Sequence, residues 1–586
     1  MVGLNSKKKA YLYIKRRYRG IGMDDFLICQ ESVYSDQFVD YILDVGGDMR
    51  LAQWIYNTNC VQNIDGSFAI IYMDREINGD ISFEKYGYAA VPKCFGLLDT
   101  SSVEATGALK LRRRPNFDLS GSGVLVGFID TGIDYLNPLF QYGDGSTRIA
   151  AIWDQTERVG TPPANIYYGA EYDRDSINLA LQSENPLQIV PEQDEIYHGT
   201  YLAAIAAGNV DQERDFTGMV PEAELLVVKV KQAKKNLREF YGIPDGVPCY
   251  QENDIMMAIR YLWAKSAILR KPIVICIGMG SNAGGHNGFS PIGTMINRVG
   301  NLNGICVVCG AGNETNMGHH FASVISPNNE EIAEINVDKR QGMTVELWTN
   351  AAILLSVGIT TPQGEYSERI AIRSYEQLID FVFSNTKVYV YYQRIEEYSG
   401  DEVVTMRFQD MDEGIWKIHI YNLEEEESGY HIWLPMGEFV ADRTHFLEPS
   451  PDTIVCNPGN TYQVITVGAY NHRNDSIFVN SSRGFTANHA IKPDLVAPGV
   501  SVYGPVSRER YGEKSGTSVA AAHTAGAVAM LLQWAFIKRN NIGMNTTIAK
   551  NYLIRGARKE NLVVPDRSFG WGILDVYNTF NRLTIY

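Results

Sequence analysis

The chain has 586 residues, of which 45% are apolar and 20% charged, enough core material for about two to four globular units. Its formal net charge of −16 excludes nucleic acid as a main partner, because phosphate recognition needs clustered cations. The eight cysteines are scattered, most of them in apolar runs, so few or no disulfides and a reducing compartment are expected.

The amino terminus is the exception to the acidic balance. "NSKKKAYLYIKRRYRG" carries seven cations, with no apolar signal core or small-residue cleavage site behind them. Residues 1–22 read as a solvated basic tail, and no classical secretion is expected. Residues 23–95 form a small α/β pattern. In it "DDFLICQES" reads as a strand, and "SDQFVDYILDVGG" as a helix stopped by glycine. "LAQWIYNT" is a further helical piece and "SFAIIYMDR" a second strand.

From about 120 to 315, Val- and Ile-rich runs alternate with helical segments. "GVLVGFID", "ELLVVKV", "PIVICIGMG" and "GICVVCGAGN" read as buried parallel strands. "TYLAAIAAG" and "DIMMAIRYLWAKSAI" read as the helices that cover them. The C-X-X-C spacing of Cys306 and Cys309 falls inside such a strand, so these read as buried thiols rather than a redox or metal pair. Residues 325–450 change texture to short segments of period-two alternation, the pattern of an antiparallel β-sandwich or jelly roll. "EEEES" (Glu424–Ser428) is a solvated turn within it. The α/β pattern resumes over 451–586, so the β unit is an insertion into a domain that begins near residue 96.

Three motifs carry the chemistry. "FIDTGID" places Asp130 at a strand end, with Asp134 as a turn residue. "YHGTYLAAIAAG" places His198 at the front of a helix, and "SGTSVAAAHTAG" places Ser518 at the start of another. A serine hydroxyl needs an imidazole to take its proton, and the imidazole needs a carboxylate to fix its tautomer. "GAGNE" adds Asn313 as an oxyanion donor beside the Ser518 backbone N–H. Ser518 does not lie in a G-x-S-x-G elbow, which counts against a lipase or esterase.

On these residues the chain resembles the subtilase family of serine proteases, whose triad runs Asp, His, Ser in this order. "TGMVPEAELLVVKV", "KPDLVAPG" and "SFGWGILDV" resemble further segments of that family, and Ala522 stands where its members usually carry proline. The resemblance implies an α/β fold, a subtilisin-like parallel sheet flanked by helices, and a serine endopeptidase without cofactor. It also implies a cleft in which Gly278, Met279, Gly280 and Ser281 pair with substrate, while Gly310, Ala311 and Gly312 form the far wall. His523 is structural by the same resemblance. No metal site is expected: no thiol or carboxylate spacing completes one with His319 and His320, which read as a solvated loop, and no dense Asp/Asn run marks calcium.

The small N-terminal unit and the β insertion are similar in arrangement to the Csp germination proteases of spore-forming bacteria. That likeness implies a retained prodomain acting as chaperone and inhibitor, with self-cleavage between about Tyr86 and Gly96. It also implies a protein substrate and activation of a proenzyme as in spore germination; a monomer is expected, and the lack of an export signal points to a cytoplasmic or spore-associated location rather than classical secretion. The competing reading is an idle subtilase scaffold serving as a binding or sensor protein. "KSGTSVAAAHTAGAVAMLLQWAF" reads as a buried core helix rather than a membrane span, because His523, Thr524 and Gln533 interrupt it.

Overall fold

The computed structural model describes residues 23–56, 58, 60–97, 106, 108, 119–350 and 352–583. The basic stretch 1–22 and most of the segment "DTSSVEATGALK" lie outside them. The centre of the molecule is a nine-stranded sheet. In spatial order its strands are Ser476–Ile477, Ile465–Asn471, Ile305–Gly310, Ile273–Ile277, Leu125–Asp130, Glu224–Lys229, Ile149–Asp154 and Ala170–Asp173, and Leu495–Pro498 also pairs with Ile465–Asn471. The inner pairs are parallel, while Ser476–Ile477 and Ala170–Asp173 add antiparallel edges. Both faces are covered, which explains the continuous apolar strands. The helices His198–Ala207 and Thr517–Leu532 pack on one face, and Glu252–Leu269 and Pro291–Val299 on the other.

Every residue of the helix Thr517–Leu532 is buried. The segment Thr517–Ile537 is long and apolar enough to cross a bilayer, yet 83% of its apolar window lies inside the fold, so it is a core helix. Its Ala- and Gly-rich surface lets sheet strands and the helix His198–Ala207 approach closely. Cys306 and Cys309 are buried free thiols in the central sheet.

Between the strands His320–Ile325 and His445–Phe446 the chain forms two antiparallel sheets, of six and four strands. Their alternating inward side chains make a separate core that includes Val345, Leu347, Val404, Trp416 and Ile418. Glu424–Glu427 are exposed in the turn ahead of Ser428.

One buried acid in this unit should make its stability depend on pH. Glu402 accepts a hydrogen bond from the Leu355 N–H through Oε2 (2.9 Å), and its Oε1 has no partner among the described residues. Burial pushes its pKa up from 4.5 to about 8. The unfolded chain ionises at the lower value and the folded chain at the higher one. The stability Glu402 confers is therefore full below the lower value and lost as pH rises through about 8. Glu402→Gln keeps an acceptor for Leu355 and cannot ionise. Calorimetry should show a higher Tm than wild type at pH about 8 and little difference near pH 5; an unchanged or lower Tm at the higher pH would refute this.

The N-terminal unit departs from the sequence expectation at two elements. Met23–Tyr34 is a helix, not a strand; Cys29, Ser32 and Val33 are buried at helical spacing while Glu31 is exposed. Phe38–Asp44 is a strand, not a helix, and it pairs antiparallel with Phe68–Asp74. Both of its faces are covered, so Val39 to Leu43 form a continuous buried run that mimics helical spacing. The helix Met49–Tyr56 and the strand Phe68–Asp74 are where the sequence reading puts them. One disulfide, Cys29–Cys60, closes inside this unit, and the other six cysteines are buried thiols.

The unit is tied to the rest by buried polar contacts. Lys234 Nζ meets Asp40 Oδ1 at 2.5 Å, and Gln251 and Asn253 donate to Asp40 Oδ2. Tyr88 donates its hydroxyl to the Glu346 carboxylate of the inserted unit at 2.7–2.8 Å. Unpaired, either buried carboxylate would cost several kcal/mol.

Candidate active site

Three elements of the central fold deliver the three predicted side chains to one point. Asp130 ends its strand, is 1% exposed, and receives the N–H of Thr131 on Oδ1 at 2.8 Å. His198 begins its helix, and its Nδ1 lies 2.6 Å from the same Asp130 oxygen. Its Nε2 lies 3.3 Å from Ser518 Oγ, although the two residues are 320 positions apart. Ser518 occupies the first turn of its helix, where the backbone dipole favours a developing anion.

Two close approaches require glycine here. A Cβ on Gly199 would lie 2.4 Å from the Gly132 carbonyl oxygen and 3.0 Å from Asp130 Cβ. A Cβ on Gly278 would lie 1.9 Å from Asp130 Oδ2. Without those atoms the histidine helix and the cleft strand can close on the carboxylate from two sides.

Asn313 follows the strand Ile305–Gly310, as expected. Its Oδ1 accepts the N–H of Thr517 at 3.1 Å, which fixes the amide plane and leaves the Nδ2 hydrogens as donors. A preorganised amide of this kind is worth about 10²–10³ in rate when it meets an oxyanion.

Beside this point runs a cleft that is already lined and filled by extended chain. Met279 and Gly280 pair antiparallel with Leu97 and Gly96, the end of the N-terminal unit. On the other side Phe95 and Cys94 pair with Tyr250 and Gln251. Residues Cys94–Leu97 are thus the middle strand of three, the geometry of a peptide added to two sheet edges. Gly278 borders Asp130, whereas Ser281 turns away and exchanges two backbone hydrogen bonds with Asn457. Gly310 packs on Thr517, Gly312 packs on Cys456 and Ser482, and Ala311 is buried between them.

Several participants were not singled out from the sequence. Tyr250 and Gln251 form a strand of only two residues, too short for a periodic signal. Burial raises the Tyr250 phenol pKa, and the nearby Asp130 and Asp194 charges raise it further. Asp134, read as a turn residue, also holds Arg508 through two hydrogen bonds, at 2.9 and 2.6 Å.

The remaining histidines divide. His523 is buried, its Nδ1 bonds to the Val519 carbonyl at 2.9 Å, and burial pushes its pKa down to about 3, as suits a structural residue. His319 and His320 are not a solvated loop. They are 1% and 0% exposed; His319 pairs with Glu314 at 2.9 Å, and His320 starts a strand, bonds to His431 and stacks on Trp433. Their partners Thr444, His431 and Trp433 lie 111 to 125 positions away in the chain, so nothing local in the sequence announces the burial. Among the described residues no group of three or more His, Cys, Asp or Glu is arranged to hold a metal.

Known proteins share this architecture. The model of the subtilase family matches residues 121–395 and 445–572. The solved structure of the Clostridium perfringens CspB protease superposes with a TM-score of 0.74 and 30% identity, covering 82% of this chain and 99% of that one. A C5a peptidase of Streptococcus pyogenes serotype M3 is 23% identical over 441 residues, 70% of this chain and 35% of its own length, so the chain spans about a third of that relative. An intracellular serine protease of Paenibacillus polymyxa is 42% identical over 79 residues, 13% of this chain and 22% of its own. The family match covers most of the central fold and reaches both sides of the β insertion, and with it the chain belongs to the subtilase family.

Proposed function

We propose that the protein is a serine endopeptidase with Ser518 as nucleophile, His198 as general base and Asp130 as the carboxylate that orients it. The observation that carries this is the relay in which Ser518 Oγ meets His198 Nε2 and His198 Nδ1 meets Asp130 Oδ1, beside a cleft holding an extended peptide strand. In this reading Ser518 Oγ attacks the scissile carbonyl while His198 Nε2 takes its proton. The oxyanion forms against the Ser518 N–H and Asn313 Nδ2. His198 then returns the proton to the leaving amine, and water repeats the cycle on the acyl-enzyme.

The first substrate is the chain itself. Going from Gly96 to Leu97, the partner residues run from Gly280 to Met279 and so toward Gly278, which touches Asp130. The N-terminal unit therefore feeds its carboxyl-terminal direction toward the triad. The cut falls on the carboxyl side of Leu97, later than the Tyr86–Gly96 window read from the sequence. After it, residues 23–97 remain docked as a prodomain and inhibitor, held by Asp40, Tyr88 and the cleft pairing. The likeness to the CspB protease, which includes nearly all of that chain, supports a germination-type role in which a limited cut activates a proenzyme.

Intact mass spectrometry of the purified protein tests this. Two fragments joining just beyond Leu97 are expected for wild type, and one uncut chain for Ser518→Ala. An uncut wild type, or a cut that persists in Ser518→Ala, would sink the proposal.

A further inference from the structure

We infer that Asp194 is a positioning residue for the reaction: a buried carboxylate that locks the His198 helix to the loop bearing Asp130. This rests on the triad reading above. Asp194 is 6% exposed and receives four donors. Its Oδ1 accepts the Thr131 hydroxyl at 2.7 Å and the Tyr197 N–H at 2.8 Å. Its Oδ2 accepts both the N–H and the hydroxyl of Thr200, at 2.8 and 2.7 Å.

Those donors belong to the two elements whose separation sets the Asp130–His198 distance. Thr131 follows Asp130 directly, and its own N–H caps Asp130 Oδ1. Thr131 Oγ1 also accepts the N–H of Gly199, the residue after the histidine. Thr200 Oγ1 in turn accepts the N–H of Asp134, farther along the same loop. Tyr197, immediately before His198, holds a left-handed backbone at φ 62°, a conformation that a bulky residue keeps only when its surroundings enforce it. The bond from its N–H to Asp194 supplies part of that enforcement. One carboxylate thus gathers the Asp130 loop, the strained residue before His198 and the first turn of its helix.

A second acid grips the same loop nearby. Glu192 is buried, accepts the Ile133 N–H at 3.0 Å, and sits against Gly132, where a Cβ would meet its Oε1. Lys229, Asp154 and Asp194 itself are the charged groups around Glu192. Glu192 makes no hydrogen bond to Thr131 or to the His198 helix, so of these two acids Asp194 is the one that bridges the two elements, beside their direct contacts through Thr131, Thr200 and Asp130.

An amide cannot replace this carboxylate. With Asp194→Asn one terminal atom of the side chain would be a donor facing either the Tyr197 N–H or the Thr200 N–H, and a backbone N–H cannot rotate to accept. The pair Asp130–His198 would then drift. Misplacement on the order of 1 Å at a catalytic group costs about 10²-fold in rate without changing how substrate binds.

The test is steady-state hydrolysis of an unfolded protein, comparing wild type, Asp194→Asn, Thr131→Val and the double variant as processed enzymes, with the uncut Ser518→Ala chain as the blank. Asp194→Asn should lower kcat by about ten- to a hundredfold with KM within about twofold. Thr131→Val replaces the bridging hydroxyl by a methyl of similar size and should lower kcat in the same way. The double variant should lose less than the product of the two single losses, because both break the Thr131–Asp194 bond while each also disturbs contacts of its own. A wild-type kcat in Asp194→Asn, a loss confined to KM, or multiplicative losses in the double variant would overturn the inference. If Asp194→Asn does not fold, Thr131→Val still decides, since a normal kcat there removes the link. Ser518→Ala separates the two readings: hydrolysis that survives it defeats the triad itself, whereas its loss beside a normal Asp194→Asn defeats only Asp194.

Discussion

Alanine at Ser518 or at His198 should lower kcat for peptide hydrolysis by about 10⁶-fold, and alanine at both should cost no more than either alone. The geometry gives the reason. His198 Nε2 is 3.3 Å from Ser518 Oγ, and the imidazole is held from behind by Asp130 at 2.6 Å. Without the imidazole the hydroxyl has no acceptor for its proton, and without the hydroxyl the imidazole has nothing to activate. What survives comes from the oxyanion donors and from binding along the cleft strand, together about 10³–10⁴ over water. Progress curves on an unfolded protein substrate measure this directly. A Ser518→Ala enzyme that turns over at a rate comparable to wild type would show that the nucleophile lies elsewhere.

Gly199→Ala should be strongly damaging although Gly199 performs no chemistry. Its new Cβ would meet the Gly132 carbonyl oxygen at 2.4 Å and Asp130 Oδ1 at 3.2 Å. Backbone cannot move aside as a flexible side chain can, so the histidine helix must shift away from the Asp130 loop. Lengthening the Asp130–His198 bond by about 1 Å would reduce kcat by roughly 10²-fold while KM stays near wild type. The same contact predicts a lower Tm, since the helix His198–Ala207 is buried along its whole length. Kinetics combined with calorimetry check both parts. A variant with wild-type kcat would show that this close packing does not set the triad distance.

These expectations show which features the sequence exposes. Asp130, His198 and Ser518 were legible because each sits where an apolar run meets a Gly- or Thr-flanked turn, and strand ends of a parallel sheet converge in space. The central sheet and the inserted sandwich were legible for a related reason. Continuous Val/Ile runs and period-two alternation are direct imprints of two-sided and one-sided burial.

The N-terminal unit resisted reading where burial and period disagree. Phe38–Asp44 is covered on both faces, and its only charged interior residue, Asp40, is paired with Lys234 from far along the chain. No local pattern announces such a partner. Met23–Tyr34 failed in the opposite sense, because a run of four apolar residues is too short to distinguish helix from strand.

The contacts around the triad were hidden for a third reason. Asp194, Thr131, Tyr250 and Arg508 act through tertiary hydrogen bonds or two-residue strands, so their sequence neighbourhoods look like ordinary loop. The same holds for His319 and His320, which are buried by partners distant in sequence: the Thr444 carbonyl for the first, His431 and Trp433 for the second.

The central claim is that Ser518 is a nucleophile activated by His198. A fluorophosphonate probe reports on it most directly, because it phosphonylates only a serine whose hydroxyl has been activated in this way. Labelling of the processed wild-type protein, mapped by peptide mass spectrometry to Ser518 and abolished in Ser518→Ala and His198→Ala, is the predicted result. A processed protein that takes no label, or one whose label stays in Ser518→Ala, would contradict it.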